Sequence, residues 1–488
     1  MNLVKYFENQ VKKSPQKIFL IQEADGEIAR QFTYEELYEA IRKMAGNLAW
    51  AGIGKRDRVA LVLPNSPELV MSWFALNWLA AIACPIEHVL SAEEMQERIG
   101  YLEPKLMINE DNFKDFLKTD SNGKNGKREI VPVEPRDPAA IIFSSGTTAK
   151  DPKGVVESHF NYIFAGEGFC HWFGITRKDV LYTCLSLSKI NAQAYSVMGA
   201  IAAGATVVVG SKFEKGKYFW KKIVNTKATV ANMLGRMMGD LYKQPPSEAE
   251  KNHSLRAVAN GQVISDPALY EELESRFDVN IVITYGSTEQ LFGFVAPLTS
   301  RKKNANCVGR KKTHPDYKSH DFMATILDQD GQCITKPGET GGLFLRSPFV
   351  AEYWKKPELT AAKWNQYKWY RTDDIFTFDD DGDFYYVSRE GDWIRKGGNS
   401  ISPADVESII FKHPKVADVA VIGIIKDSFG EPLVKAFVAP KEGETLTQEE
   451  LIEYCKNNLT IYKIPDQWEI VTELVRTPTE RVQKGLLK

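Results

Sequence analysis

The feature that most constrains this chain is a repeated grammar: a short apolar run, a turn, then a helical pattern. RVALVLPNSPE, beginning at Arg58, reads as a buried strand that leads into a helix start. ATVVVG at 205–210, NIVIT at 280–284 and MATILD at 323–328 are further strands of this kind, with helical patterns between many of them. Strands that alternate with helices build α/β layers whose strands are mostly parallel. A helix starts at TYEE, where Thr33 and Glu36 have capping-box spacing, and runs to the Gly52–Gly54 turn.

At 488 residues the chain is too long for one compact core, so two or more domains are expected. The text changes around SREGD at 388–392, after a strand-like FYYV and a hairpin-like DDDGD. Beyond it come a helix (SPADVESIIFKH), two strands (VADVAVIGII and LVKAFVAP) and a helix (TQEELIEYCKNNL). This pattern predicts a large N-terminal domain of layered sheets and helices over 1–390 and a small, mobile α+β C-terminal domain over 391–488, hinged near Gly391. SNGKNGK at 121–127 reads as a polar surface insertion.

Composition excludes several classes. Formal net charge is −2 with no long basic run, which argues against nucleic acid as the main partner. Hydrophobic content of 43% and charged content of 26% describe a folded, soluble chain. The most apolar run, LVMSWFALNWLAAIAC at 69–84, is short of the ~20 residues of a membrane span and reads as a buried helix. The N-terminus is charged throughout and is no signal peptide. Six cysteines without CxxC spacing read as buried, reduced thiols of a cytoplasmic protein, and the absence of HExxH argues against a structural zinc.

IIFSSGTTAKDPKGVVESH at 141–159 has the parts of a polyphosphate-gripping loop: Ser144, Ser145, Gly146, Thr147, Thr148, Lys153 and Gly154. Glycines let the backbone approach a phosphate, hydroxyls and N–H groups point at it, and a lysine adds charge. The spacing is not that of the usual P-loop. Taken alone, such a stretch also fits a solvated turn. It is followed by ITYGSTEQ at 283–290, WYRTDDI at 369–375, SREGDWIRKGGNSISPADVE at 388–407 and RTPTERVQK at 476–484. In order and spacing these resemble the SGTTGxPKG, YGxTE, RTGD, GRxxDxIxxxGxxIxPxEVE and PxTxxGKxxR motifs of the adenylate-forming superfamily. That superfamily comprises acyl-CoA ligases, carrier-protein adenylation domains and luciferases.

The resemblance implies a two-step reaction using ATP, Mg²⁺ and coenzyme A. A carboxylate attacks the α-phosphate to give acyl-AMP and pyrophosphate, and a thiol then displaces AMP. It implies that Ser144, Ser145, Gly146, Thr147, Thr148 and Lys153 hold the β- and γ-phosphates, with Thr148 also near the metal. Glu289 would ligate Mg²⁺. An exposed acid at a helix start is the alternative for that residue. Tyr285 would stack on adenine, within the Thr284, Gly286, Ser287 and Thr288 motif, and Asn260, Gly261 and Gln262 would border the base. Asp374 would accept from both ribose hydroxyls, because two carboxylate oxygens match a vicinal diol. Arg389 would contact the ribose or its phosphate, or else pair with the nearby aspartates. Gly397 and Gly398 match glycines that let pantetheine pass beside the backbone.

The chain departs from the family pattern in five places. Ala149 replaces a glycine after Thr-Thr, and Asp373 replaces the glycine of RTGD. Glu480 and Arg481 stand where Gly-Lys is expected, so the residue bridging carboxylate and α-phosphate is Arg481, or Lys484 if the loop shifts. A guanidinium fork is not a point charge. Gly391 replaces the usual hinge Asp or Lys and widens the accessible backbone range. In the fifth, LSLSKINAQAYS at 185–196, which resembles a segment of CoA ligases of the carnitine and small-acid type, Lys189 stands where an aromatic or His usually gates the acyl pocket. It suggests an acid with a second polar or anionic group, or else a lysine whose head reaches solvent. Asn191, Tyr195, Phe164 and Gln290 are further candidate pocket residues.

The leading expectation is an AMP-forming acid–CoA ligase acting on a small carboxylic acid. A stand-alone enzyme loading a carrier protein is the near alternative, although no carrier domain is seen in the chain. A catalytically impaired nucleotide-binding homologue and a luciferase-like oxygenase share the fold and stay open. So does a homodimer.

Overall fold

The computed structural model describes residues 1–118, 129–144, 152–211, 213, 216, 218–260, 267–291, 294–295, 307–311, 314, 316, 322–328, 330–348, 351–365, 367–390, 394–396, 399–424, 433–476 and 482–487. Its centre is two sheets, of thirteen and six strands. The larger contains a parallel stretch in which Ile18–Ala24, Thr206–Val209, Val180–Thr183, Val230–Met233, Ala257–Asn260 and Asn280–Tyr285 lie side by side. Continuous apolar strands such as Thr206–Val209, buried at every position, belong in such a doubly covered layer.

Beyond Asn280–Tyr285 the large sheet turns antiparallel. Met323–Leu327 therefore pairs antiparallel with Gly341–Arg346, rather than continuing the parallel alternation expected for it. The expected hairpin at DDDGD joins Trp369–Phe378 to Phe384–Arg389, and Asp379 Oδ1 accepts from the amides of Asp381 and Asp383 at 3.0 Å each. The smaller sheet holds Arg58–Val62 and Ile82–Pro85 in parallel and runs on through Pro138–Phe143 and Gly154–Ser158 to an edge at Glu352–Tyr353.

Local expectations at helix starts hold. Thr33 caps Tyr34–Trp50 with both arms of the capping box formed. Ser66 caps Pro67–Trp78, with Pro at the first turn. The apolar run 69–84 is not one helix: the helix stops at Trp78, Ala80 takes a left-handed φ of 56°, and Ile82–Pro85 is a strand. No described helix is long and apolar enough to cross a membrane. Four of the six free cysteines are buried, but Cys333 is exposed, contrary to expectation, in the loop after Met323–Leu327.

The C-terminal segment has its own core around Ile401, Val406, Ile410, Val421, Val434 and Leu451. The two expected helices and two expected strands are present, joined by a third strand, Gln467–Ile470, parallel to Leu433–Pro440. A small hairpin, Ile394–Lys396 with Asn399–Ile401, precedes them. The expected insertion at 121–127 and the hinge residue Gly391 lie outside the described residues.

Candidate active site

The ends of three strands and one irregular helix converge on a cavity of about 240 Å³. Strand Asn280–Tyr285 delivers Thr284, Tyr285 and the Gly286–Glu289 turn to its wall; strand Trp369–Phe378 delivers Tyr370, Thr372, Asp373 and Asp374; strand Phe384–Arg389 delivers Arg389. Ser144 and Lys153, at the two ends of the serine–threonine–glycine stretch, line it too, and the Ser144 amide donates to the Lys153 carbonyl at 3.1 Å.

One part of the wall is built around Asp374. Tyr285 Oη donates to Asp374 Oδ2 at 2.5 Å, the Asp374 amide donates to Thr372 Oγ1 at 3.1 Å, and Arg389 Nε lies 3.9 Å from Asp374 Oδ1. Burial and the neighbouring Asp374 carboxylate both push the Tyr285 hydroxyl well above its ordinary value, so it stays a donor. Tyr285 packs edge-on against Phe376, with ring centroids 5.0 Å apart. Thr284 Oγ1 donates to the carbonyl of Asn260, which is fully buried at the end of the neighbouring strand.

Glu289 is buried, not the exposed helix-start acid of the alternative reading. Its Oε1 accepts from the Tyr353 hydroxyl at 2.7 Å. Its charge is also felt by the fully buried Glu157, whose carboxyl burial pushes up to about 8, with Glu289 adding to the shift and an Asn161 hydrogen bond opposing it. Glu289 thus presents hard carboxylate oxygen at the cavity wall, a donor type suited to Mg²⁺.

The remaining wall comes from a stretch of π-helix, Ala192–Val197, and its lead-in. π-turns distort the regular ladder and are frequent at functional sites. Here Lys189, Ile190, Asn191, Ala194 and Tyr195 face the cavity together with Leu234 and Leu291. Tyr195 donates to the Leu291 carbonyl and stacks on Phe169 at 5.2 Å, while Asn191 accepts from Asn232. Gly286 belongs to the same contact: a Cβ there would sit 2.9 Å from the Leu291 oxygen.

The head of Lys189 turns to a carboxylate of the protein. Its side chain is 15% exposed, and Nζ lies 3.3 Å from Glu87 Oε2, itself 7% exposed. Burial pulls the ammonium down, and Glu87 opposes that shift. A carboxylate of the protein already supplies the countercharge that was expected from the substrate.

Two expected pocket residues lie elsewhere. Phe164 is in the core, stacked on His314 at 4.4 Å, and Gln290 is buried with Oε1 accepting from Ser347 at 3.0 Å; neither lines the cavity. Lys484 Nζ is 2.8 Å from Glu407 within the C-terminal segment and also does not line it. Ser145, Gly146, Thr147, Thr148, Ala149, Gly261, Gln262, Gly397, Gly398, Glu480 and Arg481 lie outside the described residues.

Sequence reasoning missed Glu87, Tyr353, Tyr370 and Lys363. The last three flank the RTDD motif or lie in the segment EYWKKPELTAAK before it, whose Pro marks a helix start but gives no sign of what it faces. Asp373, in the place of the family glycine, adopts a left-handed φ of 63°. The glycine-like turn is kept with an aspartate in it, and Asp373 pairs with Lys363 and with Arg371 Nε at 3.4 Å.

Comparison with known proteins matches this arrangement. Residues 7–354 fit the family model of the AMP-binding enzymes, and residues 405–481 fit the model of the AMP-binding enzyme C-terminal domain. The crotonobetaine/carnitine–CoA ligase of Proteus mirabilis is 31% identical, covering 96% of this chain and 95% of that protein. The enzyme of the same name from Citrobacter koseri is 32% identical over 100% of this chain and 99% of that protein. Among solved structures, ATP-bound MatB from Rhodopseudomonas palustris has a TM-score of 0.88 at 22% identity, covering 100% of this chain and 98% of that one, which places the fold. With both family models matched in order and relatives similar along nearly the whole length, the chain belongs to the family of AMP-binding enzymes.

Proposed function

We propose that this enzyme is an AMP-forming acid–CoA ligase. In the first step a carboxylate oxygen attacks the α-phosphorus of ATP, the bond to the bridging oxygen breaks, and pyrophosphate leaves. In the second, the sulfur of coenzyme A attacks the acyl carbon and AMP departs. The detour is chemically necessary because a free carboxylate has no adequate leaving group.

The observation that carries this reading is the juxtaposition on one cavity wall of the Tyr285–Asp374 pair, the buried Glu289, Lys153 and the Lys189–Tyr195 segment. Asp374, with one oxygen already engaged by Tyr285, takes the ribose hydroxyls, and Arg389 approaches the sugar from beside it. Thr284, Tyr285, Gly286, Ser287 and Thr288 line the base with Asn260, Gly261 and Gln262. Because the Tyr285 hydroxyl is spent on Asp374, only its ring is offered to adenine. Ser144 to Thr148 and Lys153 hold the pyrophosphate end. Glu289 and Thr148 hold Mg²⁺, which would neutralise phosphate charge as the leaving group departs. Arg481 from the small domain bridges carboxylate and α-phosphate, with Lys484 tied to Glu407, and Gly397 and Gly398 flank the pantetheine path. Residues 1–390 and 391–488 form the two domains, and Gly391 the hinge between them. Use of ATP and coenzyme A, with six cysteines free of any disulfide, favours a cytoplasmic enzyme.

The acid lies against Ile190, Asn191, Ala194, Tyr195, Leu234 and Leu291. With Lys189 neutralised by Glu87, this pocket does not require a second carboxylate on the substrate. A short acid bearing a hydroxyl or quaternary amine, the type handled by the crotonobetaine/carnitine–CoA ligases, fits it better. The test is product analysis with ATP, coenzyme A and a panel of hydroxy, quaternary-amine, dicarboxylic and aryl acids. Acyl-CoA with AMP, formed best from short monocarboxylic acids, is expected. Acyl label on a phosphopantetheinylated carrier protein without any CoA ester would overturn the acceptor, and a dicarboxylate as best substrate would overturn the pocket assignment.

A further inference from the structure

Lys363 and Asp373 have no part in the roles above, yet both line the cavity. Lys363 is the last residue of helix Pro357–Lys363, and its side chain is 15% exposed. An aspartate on the wall of a site for a polyanion repels its ligand unless a cation answers it. Asp373 has two such cations, Lys363 on Oδ2 and Arg371 on Oδ1, and Arg371 in turn reaches Glu390 at 2.6 Å. These four charges cancel. Arg371 is shared with Glu390 and lies closer to it than to Asp373, so Lys363 is the cation that Asp373 holds at the cavity wall.

The position of this pair selects the phosphate end of the site. The helix carrying Lys363 follows Glu352–Tyr353, which pairs with Gly154–Ser158, the strand immediately after Lys153. Trp364, the next residue, packs on Tyr353 at 6.1 Å and on Tyr370 at 4.7 Å, and Tyr353 is the residue that donates to Glu289. The adenine-side residues are on the other flank of RTDD, where Asp374 meets Tyr285.

Resting on the ligase reading above, we propose that Lys363 is a ligand of the β,γ-phosphate end of ATP, held in place for that contact by Asp373. An ammonium has three N–H donors, and Asp373 leaves donors for phosphate oxygen. Lys363 adds a second ammonium donor to a grip that elsewhere relies on hydroxyls and Lys153.

The test is calorimetric titration of the full chain with ATP, AMP and inorganic pyrophosphate in the presence of Mg²⁺, for the wild type, Lys363→Met and Lys363→Arg. Lys363→Met leaves Asp373 paired with Arg371, so the fold should survive; equal melting temperatures check this. Loss of one charge-assisted contact predicts a rise in Kd of about 10-fold or more for ATP and pyrophosphate, with AMP changed by less than about twofold. Lys363→Arg should restore most of the ATP affinity. Unchanged ATP binding in Lys363→Met, or an equal loss for ATP and AMP, overturns the assignment while leaving the ligase reading intact. A wild type that binds neither nucleotide overturns the ligase reading itself, and this inference with it.

Discussion

The hydroxyl of Tyr285 and the carboxylate of Asp374, 89 residues apart in sequence, meet across 2.5 Å at the cavity wall. The contact fixes one carboxylate oxygen and leaves the other side of Asp374 to Arg389 and the cavity. Asp374→Asn removes the charge that draws donors to this position. A charged hydrogen bond is worth about 1.5–3 kcal/mol, so KM for ATP should rise by roughly 10- to 100-fold. Tyr285→Phe loses only the neutral donor and should cost several-fold. Steady-state ATP titrations of both variants check the order.

The buried Lys189–Glu87 pair makes a prediction about stability. Removing one member strands the other away from water, at a cost of about 3–5 kcal/mol. Lys189→Met and Glu87→Gln should each lower the denaturant midpoint clearly. The double variant should recover part of the loss, because neither member of the pair is left facing the other's absence, while Arg98 still loses Glu87. Additive losses in the double variant would show that the two side chains act independently.

Glu289 is predicted to set the metal requirement. Glu289→Gln keeps the acceptor for Tyr353 but loses the negative charge that favours Mg²⁺. The Mg²⁺ concentration giving half-maximal activity should rise by about an order of magnitude while the melting temperature changes little. Metal titration at saturating ATP reads this directly.

Glu157 predicts a pH dependence of stability. Its folded-state value of about 8 lies above its ordinary 4.5. The folded protein therefore keeps a proton that the unfolded chain releases between pH 4.5 and 8. This group's contribution to stability is fully present below pH 4.5 and is lost as pH rises through 8. Glu157→Gln, which can still accept from Asn161, should stabilise the protein by a few kcal/mol at pH 8.5 and hardly at all at pH 4.5. Denaturant melts at the two pH values test it.

Much of this was readable before any coordinates. Thr33 and Glu36 announced a helix start because capping is local chemistry, and Asp374 and Tyr285 stood in recognisable motifs. Lys189 lines the cavity as expected, but its partner Glu87 is not legible, because it lies about a hundred residues upstream in a stretch with no motif. Burial of a lysine head is decided by such distant partners. Met323–Leu327 was readable as a strand but not as an antiparallel one, since strand direction depends on the neighbour. Lys363 and Tyr353 were invisible for the same reason: their roles arise only when Glu352–Tyr353 pairs with the strand after Lys153.

As proposed, the chain adenylates a carboxylic acid, with Arg481 where the family carries lysine. ATP–pyrophosphate exchange, measured without coenzyme A across the acid panel for wild type, Arg481→Ala and Arg481→Lys, tests it most directly. Acid-dependent exchange is expected in the wild type, with collapse in Arg481→Ala. No exchange with any acid in the wild type, but exchange in Arg481→Lys, would contradict it and show that this chain has lost the first half-reaction.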